Sequence, residues 1–127
     1  MEVSRISAKD LFNLELHRFQ PNAIDTNLVK QIKRALYQHK STFGNFILPG
    51  ALIIAEYLDR WYILDGGHRI QAIREIYEER AGEIDSLVTL EKYKCSNNLD
   101  LLRNIYFLIK EDISKDCGGH GHKIYDP

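Results

Sequence analysis

The stretch Trp61-Tyr62-Ile63-Leu64-Asp65-Gly66-Gly67-His68-Arg69-Ile70-Gln71-Ala72-Ile73 decides how this chain is read. Its first four residues are strand formers, and Asp-Gly-Gly ends the run. Apolar residues at 70, 73, 76 and 77 then return at helical spacing, which predicts a helix from about His68 to Glu79. Two glycines allow a sharp turn and a close backbone approach to a ligand. A helix start carries unpaired N–H groups and the positive end of the helix dipole, both suited to an anion. His68 and Arg69 add charge-assisted donors in the first helical turn. Strand, glycine turn, helix start and cation together describe a phosphate cradle, although the same dipeptides also occur in turns that bind nothing.

Working outward, Ile47 to Tyr57 is rich in strand formers but interrupted by Pro49-Gly50. Leu58-Asp59-Arg60 reads as the turn of a hairpin whose second strand is Trp61–Leu64. Further upstream, Asp25 or Thr26 suits the cap of a helix ending near Lys40, with Leu28, Ile32, Ala35 and Leu36 on one face. Phe19-Gln20-Pro21-Asn22 is a loop, because proline drives the residue before it out of helical geometry. Residues 3–7 suit an edge strand, and Ser7 opens a short helix or loop around Leu11–Leu16. Downstream, Glu75, Glu78, Glu79 and Arg80 are expected to face solvent, and Gly82 to stop the helix. A strand follows at Leu87–Tyr93. Asn97-Asn98 then caps a helix from about Leu99 to Ile113, with Leu102, Ile105, Tyr106, Ile109 and Ile113 as its apolar stripe.

Asp65-Gly66-Gly67-His68-Arg69 followed by Ala72 resembles the signature of the ParB/sulfiredoxin-like superfamily, and most of all its Asp-Gly-x-His-Arg branch. Arg18-Phe19-Gln20-Pro21 before the long helix is similar to the Asn-Pro-x-Gln-Pro-type segment of ParB proteins. Lys110-Glu111-Asp112-Ile113 resembles the tail of their Glu-Asn-x-x-Arg-x-Asp-Leu motif. The likeness spans residues 1–114. It implies an α+β fold, a small mixed sheet flanked by helices, with the strand-Gly-Gly-helix turn as the phosphate site of a ParB N-terminal-like domain.

The departures are as informative. Sulfiredoxins carry their catalytic cysteine where this chain has Gly67, which argues against sulfinic acid reduction. Tyr106 and Phe107 stand where ParB proteins have Glu and Asn, which weakens a ParB-type CTP switch. The serine kinases of the superfamily depend on an acidic residue in the N-terminal segment, for which Glu15 and Asp25 are candidates. The resemblance thus implies binding of ATP or CTP with Mg²⁺, with hydrolysis or phosphate transfer as the activity. Asp65 and His68 are the candidate catalytic pair. Gly66, Gly67, His68 and Arg69, with Arg18 and Gln20, are the candidate phosphate-binding set. No metal centre is assigned beyond Mg²⁺ at Asp65, whose alternative role is to cap the turn. DNA binding or cleavage, or a degenerate scaffold for a protein partner, are the competing readings.

The chain has 127 residues, enough for one core, with 44% hydrophobic and 28% charged residues. No apolar run approaches the ~20 residues that span a bilayer, and no signal peptide opens the chain, so a cytoplasmic or nuclear protein is expected. Two cysteines make no disulfide framework. Net charge is −1, so no global field draws nucleic acid to the chain. Charge is uneven: Lys30, Lys33 and Arg34 share one helix and form the candidate DNA patch. Residues 115–127 contain Cys117, His120 and His122 among glycines and are read as a disordered tail or the start of a further domain; a metal site there matches no zinc spacing. A homodimer is compatible with all of this.

Overall fold

The computed structural model describes residues 1–19, 23–80, 82, 84 and 86–118, with side chains as far as residue 111. Within them the protein is a small α+β structure with a five-stranded mixed sheet and four helices. The elements are β1 (Glu2–Ser7), α1 (Ala8–Phe12), β2 (His17–Arg18), α2 (Thr26–Phe43), β3 (Ala51–Tyr57), β4 (Arg60–Asp65), α3 (Gly67–Glu79), β5 (Leu87–Ser96) and α4 (Leu99–Gly118). The sheet order is β1-β5-β3-β4-β2. β1–β5 and β3–β4 are antiparallel, whereas β3–β5 and β2–β4 are parallel.

The central strands are apolar on both faces because helices cover both. Leu52 and Ile54 of β3, with Val88 and Leu90 of β5, join Ile70, Ala72, Ile73 and Ile76 of α3 in the larger core, which α1 and α2 also enter. Ala55, Leu64 and Cys95 face the other way and meet Leu102 of α4. Complete burial of Ile73 and Ile76 contributes about 1.5–3 kcal/mol each by transfer from water. Burial also raises the pKa of the Cys95 thiol, with Glu56 adding to the effect.

Local chemistry sets the boundaries. Asp25 caps α2 by accepting from the amides of Asn27 and Leu28. The helix runs to Phe43, past the expected end near Lys40, and Gly44 at φ +89° closes it by donating its N–H to Lys40 O. Of the expected apolar face, Leu36 is buried and Ile32 packs against the core, joined by Val29, whereas Leu28 is 38% exposed and lines a groove. The hairpin turn is the pair Leu58-Asp59, both at positive φ, and β4 starts one residue earlier than expected. Asn98 Oδ1 accepts from the Leu101 amide at the start of α4. That helix continues to Gly118, past the expected end near Ile113. Among the described residues, no helix is long and apolar enough to cross a membrane.

One further difference concerns the glutamates of α3. Glu79 stays exposed as expected and Glu75 is half-buried, but both also pair with α2: Lys33 donates to both, and Tyr37 donates to Glu79 over 3.0 Å. The Lys33 partnership, with Gln71 leading at Glu75, holds both carboxyls below their ordinary range. Lys33 is raised in turn, chiefly by Glu79.

Candidate functional site

The pairing of β3 with β4 skips a residue just before the turn: Ile54 faces Ile63, but Ile53 faces Asp65. Leu64 is the extra residue of this bulge, and it is buried against α4. The chain then reaches Gly66 at φ +104°, the N-cap of α3. A side chain at Gly66 would be strained by that φ and would run into Leu52 Cδ2. Gly67 differs. It is the first helical residue, and a Cβ built there meets nothing within 4 Å. The fold therefore needs the first glycine, whereas the second leaves open space in front of the helix start. Among the described residues no side chain caps α3. Its first amides, those of Gly67, His68 and Arg69, precede the first intrahelical bond, from Ile70 N–H to Gly66 O.

Two cavities meet at this turn and share Asp65, Gly66, Gly67 and His68 in their walls. The larger, about 640 Å³, is a groove between α2 and the chain segment before β3. Leu28, Ile32, Ala35 and Leu36 form one wall and Ile47 and Pro49 the other, with His39 among the lining residues. The smaller, about 150 Å³, lies on the α4 side and is cationic. Arg18 of β2 and Lys110 of α4 line it, with Tyr106. Lys110 Nζ stands 5.4 Å from the Tyr106 ring centre, and Phe19 packs edge-on to the same ring at 4.9 Å. Tyr106 thus belongs to the cavity wall as well as to the packing beneath α4.

His68 is fixed by a long-range contact. Its Nε2 accepts the backbone N–H of Asp25 at 3.1 Å. The ring's remaining proton therefore sits on Nδ1 in the neutral form. Asp25 thereby abuts the turn, while Glu15, the other acidic candidate, lines a separate cavity with His17 and Asp59.

Arg69 has partners the sequence reading lacked. Its guanidinium donates to Pro49 O at 2.7 Å, to Ala51 O at 3.3 Å and to Asp65 Oδ2 at 3.4 Å. It ties α3 to the start of β3, passing close to Gly50, whose φ is +72°. Its guanidinium thus holds the glycine turn to the start of β3, with its charge still beside the turn.

Of the expected set, Asp65, Gly66, Gly67, His68, Arg69 and Arg18 come together at one place. Gln20 lies outside the described residues, as do His120, His122 and the side chain of Cys117. Lys30 and Arg34 are exposed on α2. Lys33, the third member of the DNA patch, is bound between Glu75 and Glu79 with its side chain 18% exposed, so the patch loses its middle charge. Lys110, which lines the smaller cavity, was not among the expected set, although its i,i+4 spacing from Tyr106 puts both on one helix face. Among the described residues no group of three His, Cys, Asp or Glu side chains could hold a metal ion unaided.

No protein family model matches the chain, and no curated protein matches it significantly in sequence.

Proposed function

We propose that this is a ParB/sulfiredoxin-like domain that binds a nucleoside triphosphate, ATP or CTP with Mg²⁺, across the glycine turn and hydrolyses it or transfers its terminal phosphate. The observation that carries the reading is the pair of cavities on either side of one uncapped helix start, sharing Asp65, Gly66, Gly67 and His68. Their volumes divide the ligand. About 150 Å³ is too small for a nucleotide but holds phosphate oxygens beside Arg18 and Lys110. The groove of about 640 Å³ lies within the range of small-molecule sites and accommodates a nucleoside. The phosphates then cross the open face of Gly67, where the amides of Gly67, His68 and Arg69 face them.

Bound Mg²⁺ would supply neutralisation of the phosphate charge, and Asp65 is the carboxylate placed to hold it along with phosphate oxygens and water. Asp65 lines both cavities, and its carboxylate is alternatively the acceptor for the proton of an attacking water or hydroxyl. His68 Nδ1–H can donate to a phosphate oxygen while Nε2 stays on Asp25. A DNA-binding reading is weaker because Lys33 is already paired.

Thermal unfolding with Mg²⁺ and each nucleotide tests the proposal. A nucleotide at 100 times its dissociation constant adds about 2.7 kcal/mol of stability. The shift should disappear in Gly67→Ala and shrink in Lys110→Ala. Absence of a shift with every nucleotide removes the reading.

A further inference from the structure

The groove that would hold the nucleoside is apolar along α2 except at its far end, where His39 stands. His39 Nδ1 lies 2.9 Å from the carbonyl oxygen of Asn45. A carbonyl only accepts, so Nδ1 carries the proton of the neutral ring, and Nε2 is left as a bare acceptor. The ring is held in place, since Asn45 follows directly on Gly44, the residue that closes α2, and Phe43 packs against it at 4.7 Å. The helix rise puts His39 about 16 Å along α2 from Leu28, at the opposite end of the groove from the glycine turn. An extended nucleotide with its phosphates at the turn would carry its base toward that end.

We propose that His39 reads the base and selects amino-bearing bases, adenine or cytosine, over the keto bases guanine and uracil; this rests on the nucleotide reading above. Ile32, Ala35, Ile47 and Pro49 offer a flat base apolar contact but no hydrogen-bonding side-chain group. The Nε2 lone pair is therefore the side-chain polar group of α2 that meets the base edge. It accepts from the exocyclic amine of adenine or cytosine. Opposite the corresponding carbonyl of guanine or uracil it would set lone pair against lone pair and leave both unsatisfied. His39 is thus a specificity residue, remote from the reacting phosphate.

The test is isothermal calorimetry on the full chain with Mg²⁺ and ATP, CTP, GTP or UTP, for the wild type, His39→Phe and Lys110→Ala. Phe keeps a flat ring and removes the acceptor. The wild type is expected to favour CTP over UTP, and ATP over GTP, by about tenfold. Both ratios should fall to about one in His39→Phe, while Lys110→Ala weakens all four nucleotides and keeps the ratios. Wild-type binding of UTP and GTP as tight as CTP and ATP overturns the assignment whether or not the variant folds. A ratio that survives in His39→Phe also overturns it while leaving nucleotide binding intact. Binding of no nucleotide at all removes the nucleotide reading and this assignment with it.

Discussion

The backbone N–H of Asp25 donates to Nε2 of His68 over 3.1 Å, joining the start of α2 to the first turn of α3. One imidazole thus latches one wall of the groove to the glycine turn. His68→Leu removes the acceptor of an exposed amide that water can reach and should cost about 0.5–1.5 kcal/mol, whereas His68→Gln can restore an acceptor and should cost less. Urea unfolding of both variants measures the difference. Equal losses would show that the contact contributes nothing beyond packing.

The two glycines make opposite predictions. Gly66→Ala meets both a left-handed backbone and Leu52, and should destabilise by about 2–3 kcal/mol. Gly67→Ala meets open space within a helix, where alanine is favoured by up to ~1 kcal/mol. Its melting temperature should hold or rise while phosphate binding is lost. A Gly67→Ala protein that binds nucleotide normally would move the ligand away from the turn.

Arg69→Ala separates holding from binding poorly, because it removes donors to Pro49 and Ala51 as well as a charge. It should lose about 2–3 kcal/mol by thermal or urea unfolding even without ligand. A stable Arg69→Ala domain would mean that those carbonyls find water at no cost.

The ion pairs of Lys33 give a pH dependence with a definite sign. Glu75 and Glu79 titrate below the ordinary value of 4.5, so they contribute stability that is present above that value and lost as pH falls through their lower folded values. Lys33 is raised above 10.5, so its share is present below 10.5 and lost as pH rises through the higher folded value. In Lys33→Met the drop in melting temperature on acidification below pH 4.5 should be shallower than in the wild type. Glu79 is 47% exposed, so solvent screening keeps the effect small.

Leu58 stands at φ +50° in a two-residue hairpin turn, a conformation that favours asparagine or glycine. Leu58→Asn should stabilise the domain by about 0.5–1 kcal/mol, read as a rise in melting temperature. The Glu56 carboxylate already caps the Asp59 amide at 2.9 Å and should be unaffected.

What the sequence made legible is what short-range chemistry decides. Asp25 capping its own helix, the hairpin before the glycine turn and the apolar period of α3 involve residues a few positions apart. The partners of Arg69, the pairing of Lys33 with Glu75 and Glu79, and the approach of Asp25 to His68 depend on how α2 lies against α3, which no local pattern encodes. The same holds for the exposure of Leu28 on α2. Leu28 satisfies helical periodicity whether it meets a core or a groove, and only tertiary packing distinguishes the two. Lys110 reaches the turn because α4 covers the opposite face of the sheet, where Leu102 and Leu64 meet.

The strand order also dictates when the molecule can be completed during synthesis. β1 is the first of these strands to be made, yet among the described residues its one sheet neighbour is β5, with Glu2 opposite Lys92. The β3–β4 hairpin and α3 can assemble from adjacent segments, but the first strand must wait until residues 87–92 have emerged. Its docking closes the longest loop in the sheet, a non-local step that slows folding. Until then the edge of β3 that β5 will occupy is bare, and a nascent chain stalled before Leu87 would present its most apolar strand for pairing with another copy.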